Sequence, residues 1–216
     1  MAYPTISAPY GLKPVNLIGG QVFAGATRQM RIASGYNTGI FYGDVVYRLS
    51  DGTIAKETGT TTVHNTGVAG VFLGCSYINT STNQLTFTQS FVASTTVTSG
   101  FINAFVGDDP DQLFQVACVS SGVVIAGIQY SDIGANAAFV QNAGVAATGN
   151  SQVALDQSSA ATTLTLPLRI VDVVPDTAYV TSGTTYYPEA IVKFNAPNIT
   201  GGVLVGGHAY NQSTGL

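Results

Sequence analysis

The sequence predicts a mainly β protein, with an antiparallel β-barrel or sandwich body, an extended N-terminal arm and one or two short helices. Three observations carry that prediction. Charged residues make up only 8% of the 216 residues, against roughly 25% in an average globular domain. Exposed helix faces draw on Lys, Glu and Arg, whereas the Thr, Ser, Asn and Gly found here suit strands and turns. Short apolar runs, many alternating with polar residues, recur between Gly, Asn, Asp and Ser punctuation. Hydrophobic residues reach 45%, enough to build a core, and no fixed-period repeat marks a solenoid or propeller.

Residues 1–20 read as an arm. Pro4, Pro9 and Pro14 bar a helix. Between them stand Tyr3, Ile6, Tyr10, Leu12, Val15, Leu17 and Ile18, too apolar for a solvated tail. Such a segment is extended and adhesive, and Tyr3, Pro4, Ile6, Tyr10 and Leu12 are its candidate contacts with another protein surface.

The body spans 21–197, with a small barrel at about 36–78 and a second β region after it. Strands are expected at Arg28–Ala33, Gly39–Leu49, Gly67–Tyr77, Leu85–Val92 and Ala104–Val106. Asp51-Gly52 marks a hairpin turn joining Val45–Leu49 to a strand from Thr53. The three glycines of Gly67–Tyr77 suggest bulges or sharp bends. Asp109 and Pro110 suit the cap and first position of a helical turn. Leu113–Val119 resumes the strand pattern. Ser131–Phe139 is the candidate short helix, capped by Ser131 or Asp132. Loops are expected at 147–152 and 156–161, then strands at Thr162–Leu166, Leu168–Val174 and Ala190–Asn195. Residues 198–216, rich in glycine, read as a C-terminal tail or loop. Without long crossover helices, the sheets should be mostly antiparallel.

Eleven acids and seven bases give a net charge of −4 with no basic cluster, which argues against direct nucleic-acid binding. The mean hydropathy of +0.29 is high, yet the longest apolar stretch, Val116–Ile128, is interrupted by Ser120, Ser121 and Gly122. It falls short of the roughly 20 apolar residues of a spanning helix. The N-terminus has no basic segment followed by an apolar one, so no signal peptide is read there. A charge-poor, apolar chain suits a protein that spends its life in an assembly. Closed symmetry is the default for such self-association, with a homotrimer favoured and a dimer left open.

No catalytic constellation emerges, and no cofactor or metal is expected. His64 and His208 are the only histidines and read as exposed polar loop residues. No Gly-x-Ser-x-Gly elbow supports a Ser-His-Asp triad. Asp108, Asp109 and Asp111 form the one acidic cluster, without the spacing or distal Glu of a calcium loop. Glu57 and Glu189 are the only glutamates, and Trp is missing, so sugar-cleaving carboxylates are poorly supported. Cys75 and Cys118 lie in apolar strand contexts and read as buried reduced thiols; sequence leaves their pairing open. Tyr3, Tyr10, Tyr36, Tyr42, Tyr47 and Tyr77 crowd the first third of the chain, in keeping with strand packing or with an interface.

An ordered series of segments carries a resemblance. It begins with Tyr10-Gly11-Leu12-Lys13-Pro14-Val15 and Gly25-Ala26-Thr27-Arg28. It continues with Gly43-Asp44-Val45-Val46, Asp51-Gly52-Thr53 and Gly70-Val71-Phe72-Leu73-Gly74. Then come Asp108-Asp109-Pro110-Asp111-Gln112-Leu113-Phe114-Gln115-Val116 and Ser131-Asp132-Ile133-Gly134. It closes with Gly149-Asn150-Ser151, Leu155-Asp156 and Leu168-Arg169-Ile170-Val171. Together these make the chain resemble the decoration or cement proteins of tailed-bacteriophage heads. The resemblance implies a non-enzymatic virion protein, made in the bacterial cytoplasm, that sits on the outer capsid surface. Its expected partners are the major capsid protein lattice and copies of itself. Readings from other classes are a tail-tube or shell component and a receptor- or carbohydrate-binding module.

Overall fold

The computed structural model describes residues 6–64, 66–98, 100–175, 177 and 186–195, and the backbone of 198–200 and 203–205. It is mainly β, with two sheets packed as a sandwich-like body. Strand β1 (Lys13–Leu17) belongs to the second sheet. Strands β2 (Arg28–Ile32), β3 (Val45–Arg48), β4 (Ile54–Lys56), β5 (Val68–Ile78), β6 (Leu85–Thr88) and β7 (Ile102–Gly107) form the first. Strands β8 (Gln112–Ser121), β9 (Val124–Ile125), β10 (Asn136–Val140), β11 (Ala154–Ala161), β12 (Leu168–Val173) and β13 (Glu189–Phe194) complete the second. A separate hairpin joins β14 (Asn198–Thr200) to β15 (Val203–Val205).

The first sheet runs β2-β7-β5-β3-β4, with β6 paired to the far half of β5. A bridge between Arg31 and Thr53 draws its outer strands β2 and β4 together, so the sheet curls toward a barrel. The second runs β1-β8-β11-β10-β12-β13, and β13 pairs back onto β8. That return closes it into a ring. Pairing among the named strands is antiparallel except between β8 and β11.

Alternation along the strands, with its phase shifted in β5 where the register breaks opposite Val46–Tyr47 and between Phe72 and Cys75, explains the layering. In β5, Val68 and Val71 join a core cluster shared with Phe114, Phe139, Leu155 and Phe194 of the second sheet. Ala69, Phe72 and Cys75 of the same strand face the other way, into a cluster with Ile40, Ile54, Ile102 and Val106. Strand β5 is therefore buried on both faces. Gly70 makes this possible: at φ +151° it passes so close to β7 that a Cβ would lie 2.3 Å from the Gly107 carbonyl.

The two sheets and the N-terminal segment meet at Asp44, which is completely buried. Its Oδ2 accepts the Phe41 N–H at 2.8 Å and pairs with Lys56 Nζ at 2.9 Å. Its Oδ1 accepts the Ser151 hydroxyl at 2.6 Å, and that hydroxyl in turn accepts the Val153 N–H. The backbone closes the junction: Gly43 donates to Phe72, Leu12 to Gly43, Gly11 to Val153 and Ser151 to Tyr42. At Gly11 a Cβ would lie 2.7 Å from Ser151 Cβ and 2.8 Å from the Gly43 oxygen, so only glycine lets the three segments touch.

Several sequence expectations are corrected. The helix expected over Ser131–Phe139 is a single 3-10 turn, Tyr130–Asp132, followed by β10. Asn136–Phe139 is almost wholly buried between β11 and β12, and the sheet recruits it whatever its local helix signals. The loop expected at 156–161 is the outer half of β11. The strand expected at Thr162–Leu166 is a turn. Within the segment assigned to the arm at 1–20, β1 pairs with β8 through Lys13–Gln115 and Pro14–Phe114. The glycine-rich C-terminal stretch contains the β14–β15 hairpin. The barrel placed at about 36–78 extends over 28–107, because β2 and β7 complete it.

Asp44→Ala should unfold at clearly lower urea concentration, with a stability loss of about 3–5 kcal/mol. It strands the Lys56 ammonium in a site that leaves it only 11% exposed, and one unpaired buried charge costs that much. Adding Lys56→Met should recover a substantial part of the loss.

Candidate functional site

The candidate contact residues are divided by the structure. Tyr3 and Pro4 lie outside the described residues. Ile6 and Tyr10 are half-buried against Ala117, Val119, Ala154 and Tyr187 on the outer side of the second sheet. The Ile6 carbonyl accepts the Tyr187 N–H at 3.0 Å, and the Tyr187 hydroxyl is held by the Val123 carbonyl. Leu12 has no exposed surface and belongs to the main core. It is a core residue, not a contact residue, because its strand enters the junction at Gly43.

Tyr10 is anchored by a buried polar pair. Its hydroxyl donates to Glu189 Oε1, and Glu189 is 4% exposed. Glu189 is held in turn through its N–H, which donates to Thr177 Oγ1 at 3.0 Å. Burial first, and then the bond and charge of Glu189, push the Tyr10 hydroxyl well above its ordinary range. Burial also pushes the nearby Cys118 thiol up. Neither group is an accessible nucleophile at neutral pH. The root of the N-terminal segment is thus tied to β13.

The acidic, histidine and cysteine side chains singled out in the sequence that lie among the described residues make contacts within the fold. Asp108 pairs with Arg28 at 2.6 Å and Asp111 with Lys193 at 3.2 Å. Asp109 accepts the Asp111 N–H and closes the turn that sequence reading took for a helical one. Glu57, 3% exposed, accepts the N–H groups of Thr58, Gly59 and His64. His64 stacks on Tyr47 at 4.0 Å and is half-buried, not the exposed loop residue expected. Cys75 and Cys118 are free and buried. Among the described residues, no three or more His, Cys, Asp or Glu converge on a metal-sized site, and no helix is long and apolar enough to cross a membrane.

What sequence reading missed is a surface. On the outward face of the first sheet, Leu85 and Phe87 of β6 are 62% and 67% exposed. Cross-strand register sets Ile78 opposite Leu85, and Ser76 opposite both Phe87 and Asn103. Phe105, on the same face, stacks against Phe87 with ring centroids 6.3 Å apart. Beyond it, Phe101 is 55% exposed, with the Arg31 guanidinium 3.6 Å over its ring. The signal that could have found this face is negative: residues 58–107 contain no Asp, Glu, Lys or Arg.

The buried Tyr10 hydroxyl sets a pH dependence. Its folded-state proton affinity exceeds the unfolded one, so its stabilisation is complete below the unfolded value near 10 and declines as pH rises past it. Cys118 acts in the same sense from its lower ordinary value. Tyr10→Phe should therefore flatten the alkaline loss of stability above about pH 10 by up to about 1.4 kcal/mol per pH unit, measured by denaturant melts across pH.

Comparison of the chain with protein-family models, with curated proteins and with solved structures finds no match.

Proposed function

We propose that the chain is a structural protein of a tailed-phage virion that decorates the outer surface of the capsid and stabilises it by bridging capsomers. The observation that carries this reading is the pairing of a tied-down β body with an exposed aromatic face that no ionic residue interrupts over 58–107. A freely diffusing monomer gains nothing from such a face and risks aggregation. A protein held in a lattice buries it. Densely packed sheets suit a load-bearing role, since both faces of β5 are packed. Repetition over many sites lets modest single contacts add up to lasting attachment.

The ordered segments that resemble head decoration proteins fall on working parts of the fold. Gly43-Asp44 and Gly149-Asn150-Ser151 sit at the buried junction. Asp108 to Asp111 form the turn between the two sheets. The major capsid protein lattice and copies of the chain itself are the partners of this reading, and its place is the outside of the head. In it, Tyr3 and Pro4 extend the anchored segment toward a neighbouring subunit.

Heads purified without the protein, from the phage that encodes it, should bind the full chain in stoichiometric amounts, seen by co-sedimentation and as added density in cryo-electron microscopy. Deleting residues 2–5 leaves Ile6, Tyr10 and Leu12 in place, so melting should be unchanged while head occupancy falls several-fold. Full occupancy after that deletion removes the arm from the mechanism. Failure of the intact chain to bind heads removes the reading itself.

A further inference from the structure

We propose that strand β6 and the aromatic face beside it form a two-fold contact between copies of this chain, in which β6 pairs antiparallel with β6 of a second copy. The contact is independent of any capsid.

The first support is the strand edge. One side of β6 pairs with β5 from Cys75–Thr88 to Ile78–Leu85. Among the described residues, no backbone hydrogen bond joins the other side of Leu85–Thr88 to anything. Soluble proteins blunt such edges with Lys, Pro, inward charges or bulges. Thr82-Asn83-Gln84-Leu85-Thr86-Phe87-Thr88-Gln89 carries none of these. Shortness is the one protection present, at four residues.

The second support is the side chains. Leu85 and Phe87 project from the same face of β6 and are mostly in water. Phe87 already stacks on Phe105, and Ile78 lies beside Leu85. A strand added at this edge would extend that apolar strip across the new seam.

The third support identifies the occupant. A partner chosen by charge would need a charged residue to read, and residues 58–107 offer none. A copy of the same strand matches this edge in length, in polarity and in lack of repulsion. Placing the axis at Thr86 sets Leu85 opposite Phe87 of the second copy, and Phe87 opposite its Leu85. Both become aliphatic–aromatic cross-strand pairs, the kind that stabilises sheets. Placing the axis at Phe87 would instead oppose Leu85 with Gln89 and leave half of the apolar surface unmatched. The Thr86 axis is therefore the one the sequence favours. It makes a two-fold, not a three-fold, the symmetry of this contact.

The test uses the full chain in solution. Sedimentation velocity should show a concentration-dependent dimer. Phe87→Lys and Leu85→Lys should each shift it to monomer at least tenfold in concentration, with melting temperature unchanged because both side chains are exposed. Thr86→Cys should form a disulfide-linked dimer under mild oxidation, since a residue on the axis faces itself. Gln84→Cys, exposed and two residues off the axis, should not, and native Cys75 and Cys118 are buried and do not compete. A wild-type monomer at high concentration overturns the proposal. So does an oligomer that survives both lysine variants, or a Gln84→Cys link in place of the Thr86→Cys link. An edge that is filled only on capsids, by the shell subunit, would appear as a solution monomer and likewise overturns it. Because no head takes part, these results stand apart from the head-binding assay.

Discussion

One buried carboxylate holds the architecture together. Asp44 sits where the first sheet, the Asn150–Val153 approach to the second, and the N-terminal segment converge, and it satisfies donors from the first two of these. A charge in this position is tolerated only because Lys56, Ser151 and the Phe41 N–H surround it. Glycines at 11 and 43 complete the junction by letting backbones come within contact distance. The packing of Leu12, the double burial of β5 and the common core of the two sheets all presuppose this crossing.

Scarcity of charge has consequences at every level. With 18 ionisable acids and bases, 11 plus 7, the chain places several inside the fold, where Asp44, Glu57 and Glu189 organise backbone or the N-terminal segment. Others form the pairs Arg28–Asp108 and Lys193–Asp111. Whole stretches of surface are left to Thr, Ser, Asn and aromatic rings. That surface is hydrated through hydroxyls and amides, which cost far less to bury against a partner than ammonium or carboxylate groups do.

The candidate contacts show how far residue-level reading carries. Pro4, Pro9 and Pro14 correctly exclude a helix in the described part of the segment. Yet Tyr10 and Leu12 look alike in sequence and end differently: one is a half-buried hydrogen-bond donor to Glu189, the other a core residue. Their partners lie far along the chain, so no local pattern separates them. Phe87 and Phe91 pose the same problem. Both are aromatic and four residues apart, but Phe91 is buried beside Ile40 and Phe87 is open to water.

Composition, alternation and turn chemistry, by themselves, determined that this chain is β-rich, that Asp51-Gly52 turns a hairpin and that strands lie at about Leu168–Val174 and Ala190–Asn195, where β12 and β13 are found. These depend on alternation and on local φ preferences, which a short window contains. Tertiary structure alone decided that Asn136–Val140 is a strand, that β13 closes the ring on β8 and that β6, among the described residues, pairs on one side only. Those outcomes rest on pairings between residues far apart in sequence, where the energy of filling a sheet position outweighs the weak local preference of the segment that fills it.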